Sequence, residues 1–189
     1  MTTLIIGGSG SGKSAFAEQL LCSRAGNGRK YYLATMQVYD EEGRQKVERH
    51  RSLRQGKGFR TVECPAGIGQ VLPLLAGEGP GDACVLLECM SNLTANEMFG
   101  PRQKTAEETA ETILAGIEAV RAGVRHLVIV SNNVFEDGEA YDPGTQEYLK
   151  ALALVNRRLA GAAEEVIEVV AGLPAVIKHP HKTSGLNLV

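Results

Sequence analysis

The sequence has little that would hold nucleic acid. Aromatic residues make up 5% of its 189 positions and the formal net charge is −2, so neither a row of base-stacking rings nor a bulk basic field is present. Cysteine is equally sparse. Cys22, Cys64, Cys84 and Cys89 form no C-x-x-C pair. In a chain too long to be a disulfide scaffold, reduced thiols of a cytoplasmic protein are expected. No run approaches the roughly 18 consecutive apolar residues of a membrane helix, so no membrane span is expected. Met1-Thr2-Thr3 carries no basic n-region, and the first apolar run ends in a glycine loop, so no signal peptide is expected. Internal repeats and low-complexity tracts are also lacking.

What is present is ordinary in bulk and specific in one place. Hydrophobic content of 43% and charged content of 22% suit one globular unit with a proper core. Residues 1–178 are read as a single domain and 179–189 as a polar tail. The specific place is Gly7-Gly8-Ser9-Gly10-Ser11-Gly12-Lys13-Ser14, a G-x-x-x-x-G-K-S pattern. The apolar stretch Thr3-Leu4-Ile5-Ile6 precedes it, and Phe16, Leu20 and Leu21 follow at helical spacing. Strand, glycine loop and helix form the context in which this pattern cradles phosphates. Glycines let the backbone curl without Cβ clashes, and successive N–H groups then face an anion at the helix N-terminus. Lys13 adds charge on the outer phosphates, and the Ser14 hydroxyl suits Mg²⁺.

Along the chain, strands are expected at Thr2–Ile6, Tyr31–Ala34, Phe59–Cys64, Ala83–Glu88, His126–Ser131, Glu165–Val170 and Ala175–Ile177. Helices are expected at Gly12–Ala25, from after Asp40 to Gln55, and at Gly67–Leu75, Ser91–Phe99, Thr105–Ala122 and Gly144–Ala163. Gly77–Gly81 and Gly172-Leu173-Pro174 read as turns. The alternation predicts an α/β fold with a mostly parallel sheet and helices on both faces. Ligands then gather at the C-terminal strand edge, where the glycine loop, Thr35, Glu88 and Asn132 converge. Ala83–Glu88 has the form of a Walker B strand, with Glu88 in place of Asp as the acid on the metal side. His50 lies among Arg44, Lys46, Arg49, Arg51 and Arg54; by spacing alone it reads as part of a solvated charged helix.

Several segments resemble the bifunctional adenosylcobinamide kinase/adenosylcobinamide-phosphate guanylyltransferase family of cobalamin synthesis. They are Ile6–Ser14, Tyr32-Leu33-Ala34-Thr35-Met36-Gln37, Arg49-His50-Arg51, Thr61-Val62-Glu63, Leu86-Leu87-Glu88-Cys89, Val155-Asn156-Arg157-Arg158-Leu159-Ala160 and Val169–Pro174. They occur in family order and span nearly the whole chain. The resemblance implies a P-loop, RecA-like nucleotide hydrolase fold and two reactions. One phosphorylates the aminopropanol hydroxyl of adenosylcobinamide. The other moves GMP from GTP onto that phosphate through a histidine, matched here by His50. It implies GTP, ATP and Mg²⁺ as cofactors, a corrinoid substrate and a homo-oligomer. By the same likeness the nucleotide site comprises Gly7, Gly8, Ser9, Gly10, Ser11, Gly12, Lys13 and Ser14 with Thr35, Met36, Gln37, Arg51, Ser52, Leu53, Arg54, Glu63 and Glu88. Lys13 and His50 would be the catalytic residues, Ser14 and Glu88 the metal side.

The sequence departs from the family pattern at Glu88, where Asp is usual, and at Asn133, where T-N-E-V becomes Ser131-Asn132-Asn133-Val134. The missing acid at 133 implies a weaker kinase step. Two other readings stand beside this one. One is a small-metabolite P-loop kinase that makes no covalent nucleotide adduct. The other is a RecA-like nucleic-acid-dependent ATPase, against which the scarcity of aromatics and basic charge argues.

Overall fold

The computed structural model describes residues 1–38, 41–75, 82–134 and 141–180. Side chains at 42, 46, 49, 50 and 53 lie outside that description, as does the expected turn at Gly77–Gly81 and the tail beyond 180. Among the described residues, seven strands form one sheet: β1 (Thr2–Ile6), β2 (Arg29–Ala34), β3 (Phe59–Glu63), β4 (Ala83–Glu88), β5 (His126–Val130), β6 (Glu165–Val170) and β7 (Leu173–Lys178). Their order is β3-β2-β4-β5-β1-β6-β7. Every pairing is parallel except β6 with β7.

The central strands β4 and β5 are apolar on both faces because both faces are covered. In β4, Val85 and Leu87 join one core, while Cys84 and Leu86 join the other. The period of two along a strand sends successive side chains to opposite sides. The first core receives Leu93 of α4 (Met90–Met98), Ile113 and Ile117 of α5 (Ala106–Ala122), and Leu152 and Val155 of α6 (Pro143–Ala162). The second receives Ala17 and Leu21 of α1 (Lys13–Ala25). Each fully buried leucine or isoleucine contributes about 1.5–3 kcal/mol of transfer free energy.

Local chemistry sets the helix ends. Thr105 caps α5 in a reciprocal box: its hydroxyl accepts from the Glu108 N–H, and the Glu108 carboxylate accepts from the Thr105 N–H. Asp142 caps α6 through the N–H groups of Gly144 and Thr145, with Pro143 at the first helical position. By contrast, α1 begins at Gly12 with φ 86° and no side-chain cap. Its first N–H groups are therefore left for an anion.

Two expectations change in detail. The helix expected at Gly67–Leu75 is a 3₁₀ turn, Ile68–Val71, followed by the single turn α3 (Leu72–Leu75). Pro73 has no N–H to give the Gly69 carbonyl, so a continuous α-helix is interrupted there. Leu173 and Pro174 are strand rather than turn. The reversal is Ala171-Gly172 alone, with φ 49° and 82°, the two positive values of a tight two-residue hairpin. Pro174 is tolerated because β7 is the outer strand.

Candidate active site

The glycine loop leaves the end of β1 in the middle of the sheet and is packed from two sides. A Cβ on Gly7 would lie 2.6 Å from the Val169 carbonyl oxygen, so β6 approaches too closely for any other residue. The Gly172 N–H donates to the Ser11 carbonyl at 2.8 Å, and the Asn133 N–H donates to the Gly7 carbonyl at 3.1 Å. Lys13 is buried, and its Nζ donates to the Gly8 carbonyl at 2.9 Å, which folds the cation back across the loop. The Ser14 hydroxyl is hydrogen-bonded to the Glu88 carboxylate. The serine and the acid assigned to the metal side thus meet.

A cavity of about 450 Å³ opens over this loop. Ser9, Gly10, Ser11, Gly12, Lys13 and Ser14 form its floor. Met36, Arg54, Glu63 and Glu88 stand in its walls, as the sequence led one to expect, and so does Asn132. Arg54, at the end of α2 (Glu41–Arg54), is buried with its guanidinium 3.5 Å from the Tyr32 ring centroid. Such stacking holds a cation in place without neutralising it. Burial, followed by the Glu88 charge, pushes the Tyr32 phenol pKa far up, so Tyr32 stays neutral. Among the described residues, Ser11 Oγ, Arg54 Nη1 and Glu88 Oε2 are buried without a hydrogen-bond partner. Unsatisfied donors and an acid together suit a polyanion that arrives with a hard cation.

Not every anticipated residue lies in this cavity. Thr35 is fully buried. Its hydroxyl accepts from the Cys89 N–H at 2.7 Å and donates to the Cys89 carbonyl at 2.8 Å. It therefore fixes the chain just after Glu88 and does not line the cavity wall. Gln37 is exposed beyond the strand end, and the cavity lining begins at Ser9, after Gly7 and Gly8. Arg51 pairs with Glu63 at 2.9 Å, and the Ser52 hydroxyl donates to the Glu48 carbonyl. Both face a neighbouring shallow depression of about 630 Å³, which Arg54 and Phe59 share. His50 and Leu53 belong to α2, with side chains outside the described residues. Among the described residues no three His, Cys, Asp or Glu side chains gather as a metal cluster.

Sequence reading missed Tyr32, Val47, Ser91 and Asn92 as cavity walls. Position 47 could have been found by helical spacing, since it precedes Arg54 by two turns. Tyr32 gave no such signal, because in sequence it is one apolar strand residue among several.

A P-loop in this fold is common to many nucleotide enzymes. A solved helicase ATPase domain matches 97% of this chain and 78% of its own length, with a TM-score of 0.55 at 10% identity, and it supports the fold alone. The chain is 30% identical to the bifunctional adenosylcobalamin biosynthesis protein CobU of Escherichia coli and 29% identical to that of Salmonella typhimurium. Both alignments cover 94% of this chain and all of the relative. CobP of Pseudomonas aeruginosa is 27% identical, with 94% and 98% covered. The sequence profile of cobinamide kinase / cobinamide phosphate guanyltransferase matches residues 3–177. That span runs from the strand before the phosphate loop to the strand after the hairpin turn that packs on it. The chain therefore belongs to this family, the bifunctional kinase and guanylyltransferase of adenosylcobalamin synthesis.

Proposed function

We propose that both reactions of the family use the P-loop cavity and that GMP passes through His50. The observation that carries this reading is the set of buried, unpartnered polar atoms, Ser11 Oγ, Arg54 Nη1 and Glu88 Oε2, at the floor and wall of that cavity. A triphosphate supplies acceptors for the first two. Mg²⁺ fits the last: the Ser14 hydroxyl and the Glu88 carboxylate are hard oxygen donors beside the phosphate loop, too few for a resident all-protein site. When bound with the triphosphate, the ion supplies charge neutralisation between phosphate oxygens.

In the kinase step, the acceptor hydroxyl attacks the γ-phosphorus of ATP or GTP. The bond to the bridging oxygen breaks, the nucleoside diphosphate leaves, and the hydroxyl proton is lost. Lys13 and Arg54 meet the charge on the equatorial oxygens. In the guanylyl step, an imidazole nitrogen of His50 attacks the α-phosphorus of GTP, and pyrophosphate leaves. A phosphate oxygen of adenosylcobinamide phosphate then displaces the imidazole, giving adenosylcobinamide-GDP. Helix geometry supports His50. Val47 and Arg54 both line the cavity, and position 50 falls between them on the same helix, one turn beyond 47.

The reading extends to assembly and location. The outer hairpin exposes Val170, Leu173 and Ile177, at 58%, 73% and 62%. An apolar outer strand of this kind supports burial against another copy. We therefore place the protein as a homo-oligomer, to be checked by light scattering against the 20.2 kDa chain mass. Four free cysteines and, among the described residues, no helix long and apolar enough to cross a membrane support a cytoplasmic enzyme.

The testing experiment is intact-mass measurement after incubation with GTP and Mg²⁺. A GMP-sized adduct is expected that maps to His50, survives mild base, is lost in acid and does not form in His50→Ala. An adduct on another residue would move the nucleophile. No adduct, with guanylyl transfer still running, would establish direct displacement.

A further inference from the structure

The cavity is lined by two chemically different groups. Lys13 and Arg54 form a cationic side that suits phosphate. Ser91, Asn92 and Asn132 bear no charge, and the hydrogen bond from Asn132 to Ser91 makes them a neutral side. The neutral side is held together by hydrogen bonds. Asn132 Nδ2 donates to Ser91 Oγ at 2.7 Å, and Cys89 Sγ lies 2.9 Å from the same oxygen. Behind it stands Asn156 of α6, within the V-N-R-x-L-A stretch, which lies outside the cavity lining. Asn156 Nδ2 donates to the Asn132 carbonyl at 3.2 Å, and its Oδ1 accepts from the hydroxyl of fully buried Ser131 at 2.6 Å. Tyr148, also of α6, donates its hydroxyl to the Ser91 carbonyl at 3.3 Å.

We propose that this neutral ledge is the seat of the alcohol acceptor in phosphoryl transfer: Asn132 orients the hydroxyl, and Asn156 is a positioning residue that holds Asn132. The inference rests on the P-loop cavity being the kinase site, as proposed above. Asn132 Nδ2 spends one of its two N–H groups on Ser91, and its amide oxygen is an acceptor suited to an O–H donor. An uncharged alcohol next to an amide group gains nothing from the cationic side, where it would displace phosphate, and is matched by amides and a hydroxyl. Phosphoryl transfer passes through a loose transition state, so the ledge must supply alignment more than a strong base. The balance is simple. The acceptor O–H bond breaks as the O–P bond to the γ-phosphorus forms. The bond from that phosphorus to the bridging oxygen breaks, the nucleoside diphosphate carries the electron pair away, and the proton passes to solvent.

The test compares steady-state kinetics of adenosylcobinamide phosphorylation in wild type, Asn132→Ala and Asn156→Ala, with GMP-adduct formation from GTP alone measured on the same preparations. For Asn132→Ala, kcat/KM for adenosylcobinamide is expected to fall by about 30–100-fold, the loss of one aligned hydrogen bond to a reacting group. The loss in acceptor kcat/KM should exceed any change in KM for the triphosphate or in the adduct rate by about tenfold or more. Asn156→Ala should show the same split with about a tenfold loss, mostly in kcat. If Asn132→Ala does not fold, Asn132→Ser is read for the same split. A parallel rise in triphosphate KM, a parallel fall in adduct rate, or unchanged acceptor kinetics would overturn the proposal. The two readings fail separately. Undiminished phosphorylation by Lys13→Ala refutes the P-loop cavity as the kinase site, whereas the split between acceptor kinetics and the other readouts in the asparagine variants decides the ledge.

Discussion

The backbone N–H of Gly172 donates to the Ser11 carbonyl at 2.8 Å, so the β6–β7 hairpin closes on the glycine loop after β1. The contact is tight enough that a Cβ on Gly12 would sit 3.3 Å from Gly172 Cα. Two glycines from opposite ends of the chain therefore define one packing contact, and the hairpin is part of the phosphate site's support.

Gly172→Ala tests that support. Its φ of 82° is unfavourable for any residue with a Cβ, while the space around it is open. The cost is conformational, about 1–2 kcal/mol. A lower midpoint of urea unfolding is expected, together with a rise of about threefold in KM for the triphosphate, on the view that a strained turn loosens the loop. Gly172→Asn, which tolerates left-handed backbone better, should lie between the alanine variant and wild type. Loss of stability with unchanged KM would show that the hairpin does not steady the loop.

Lys13→Ala should abolish both activities and leave the fold intact. Its buried amine lies across the phosphate loop and contributes little to either apolar core. Removing a charge-assisted contact to transferring phosphate lowers turnover by about 10²–10³-fold. Circular dichroism and both assays on one preparation check this. Normal turnover in either step would separate that step from the P-loop.

Asn133→Glu addresses the departure from the family pattern. The residue lining the cavity is Asn132, while Asn133 gives its backbone N–H to Gly7, a bond indifferent to the side chain. Kinase and GMP-adduct rates are therefore expected to stay within about twofold of wild type, as for a substitution outside the contact set. A faster kinase step in the variant would instead identify position 133 as a lost acid.

His126 gives a pH signature. Burial, then the positive chain terminus, Arg125 and Arg24, hold its imidazole below the ordinary pKa near 6.5. The unfolded chain then binds the proton more readily than the folded one. Stability falls as pH drops through about 6.5 toward the depressed folded value and is complete above that window. Urea midpoints at pH 7.5 and 5.5 should differ less in His126→Gln than in wild type. An equal difference would remove His126 from the pH response.

Much of this protein was legible in its sequence because the determinants are local. Glycines at fixed spacing between a β-branched strand and an amphipathic helix dictate a phosphate cradle, whatever the rest of the chain does. The apolar run Ala83–Leu87 says that both faces of its strand are covered, and Thr105 with Glu108 states where α5 begins. Arg54 and Glu88 were anticipated as site residues, but their geometry was not. It depends on which strands are neighbours, and the placement of β2 beside β4 is what brings Tyr32 between them. Thr35 shows the opposite outcome, a polar residue at a strand end whose hydroxyl is consumed by the Cys89 backbone. The hold of Asn156 on Asn132 joins a helix to a strand end 24 positions away. Periodicity reports which face of an element is buried, not which partner covers it. The sequence alone therefore determined a G-x-x-x-x-G-K-S loop between strand and helix on an α/β sheet. Tertiary structure decided which side chains flank that loop, because those contacts form only once long-range packing has fixed the strand order.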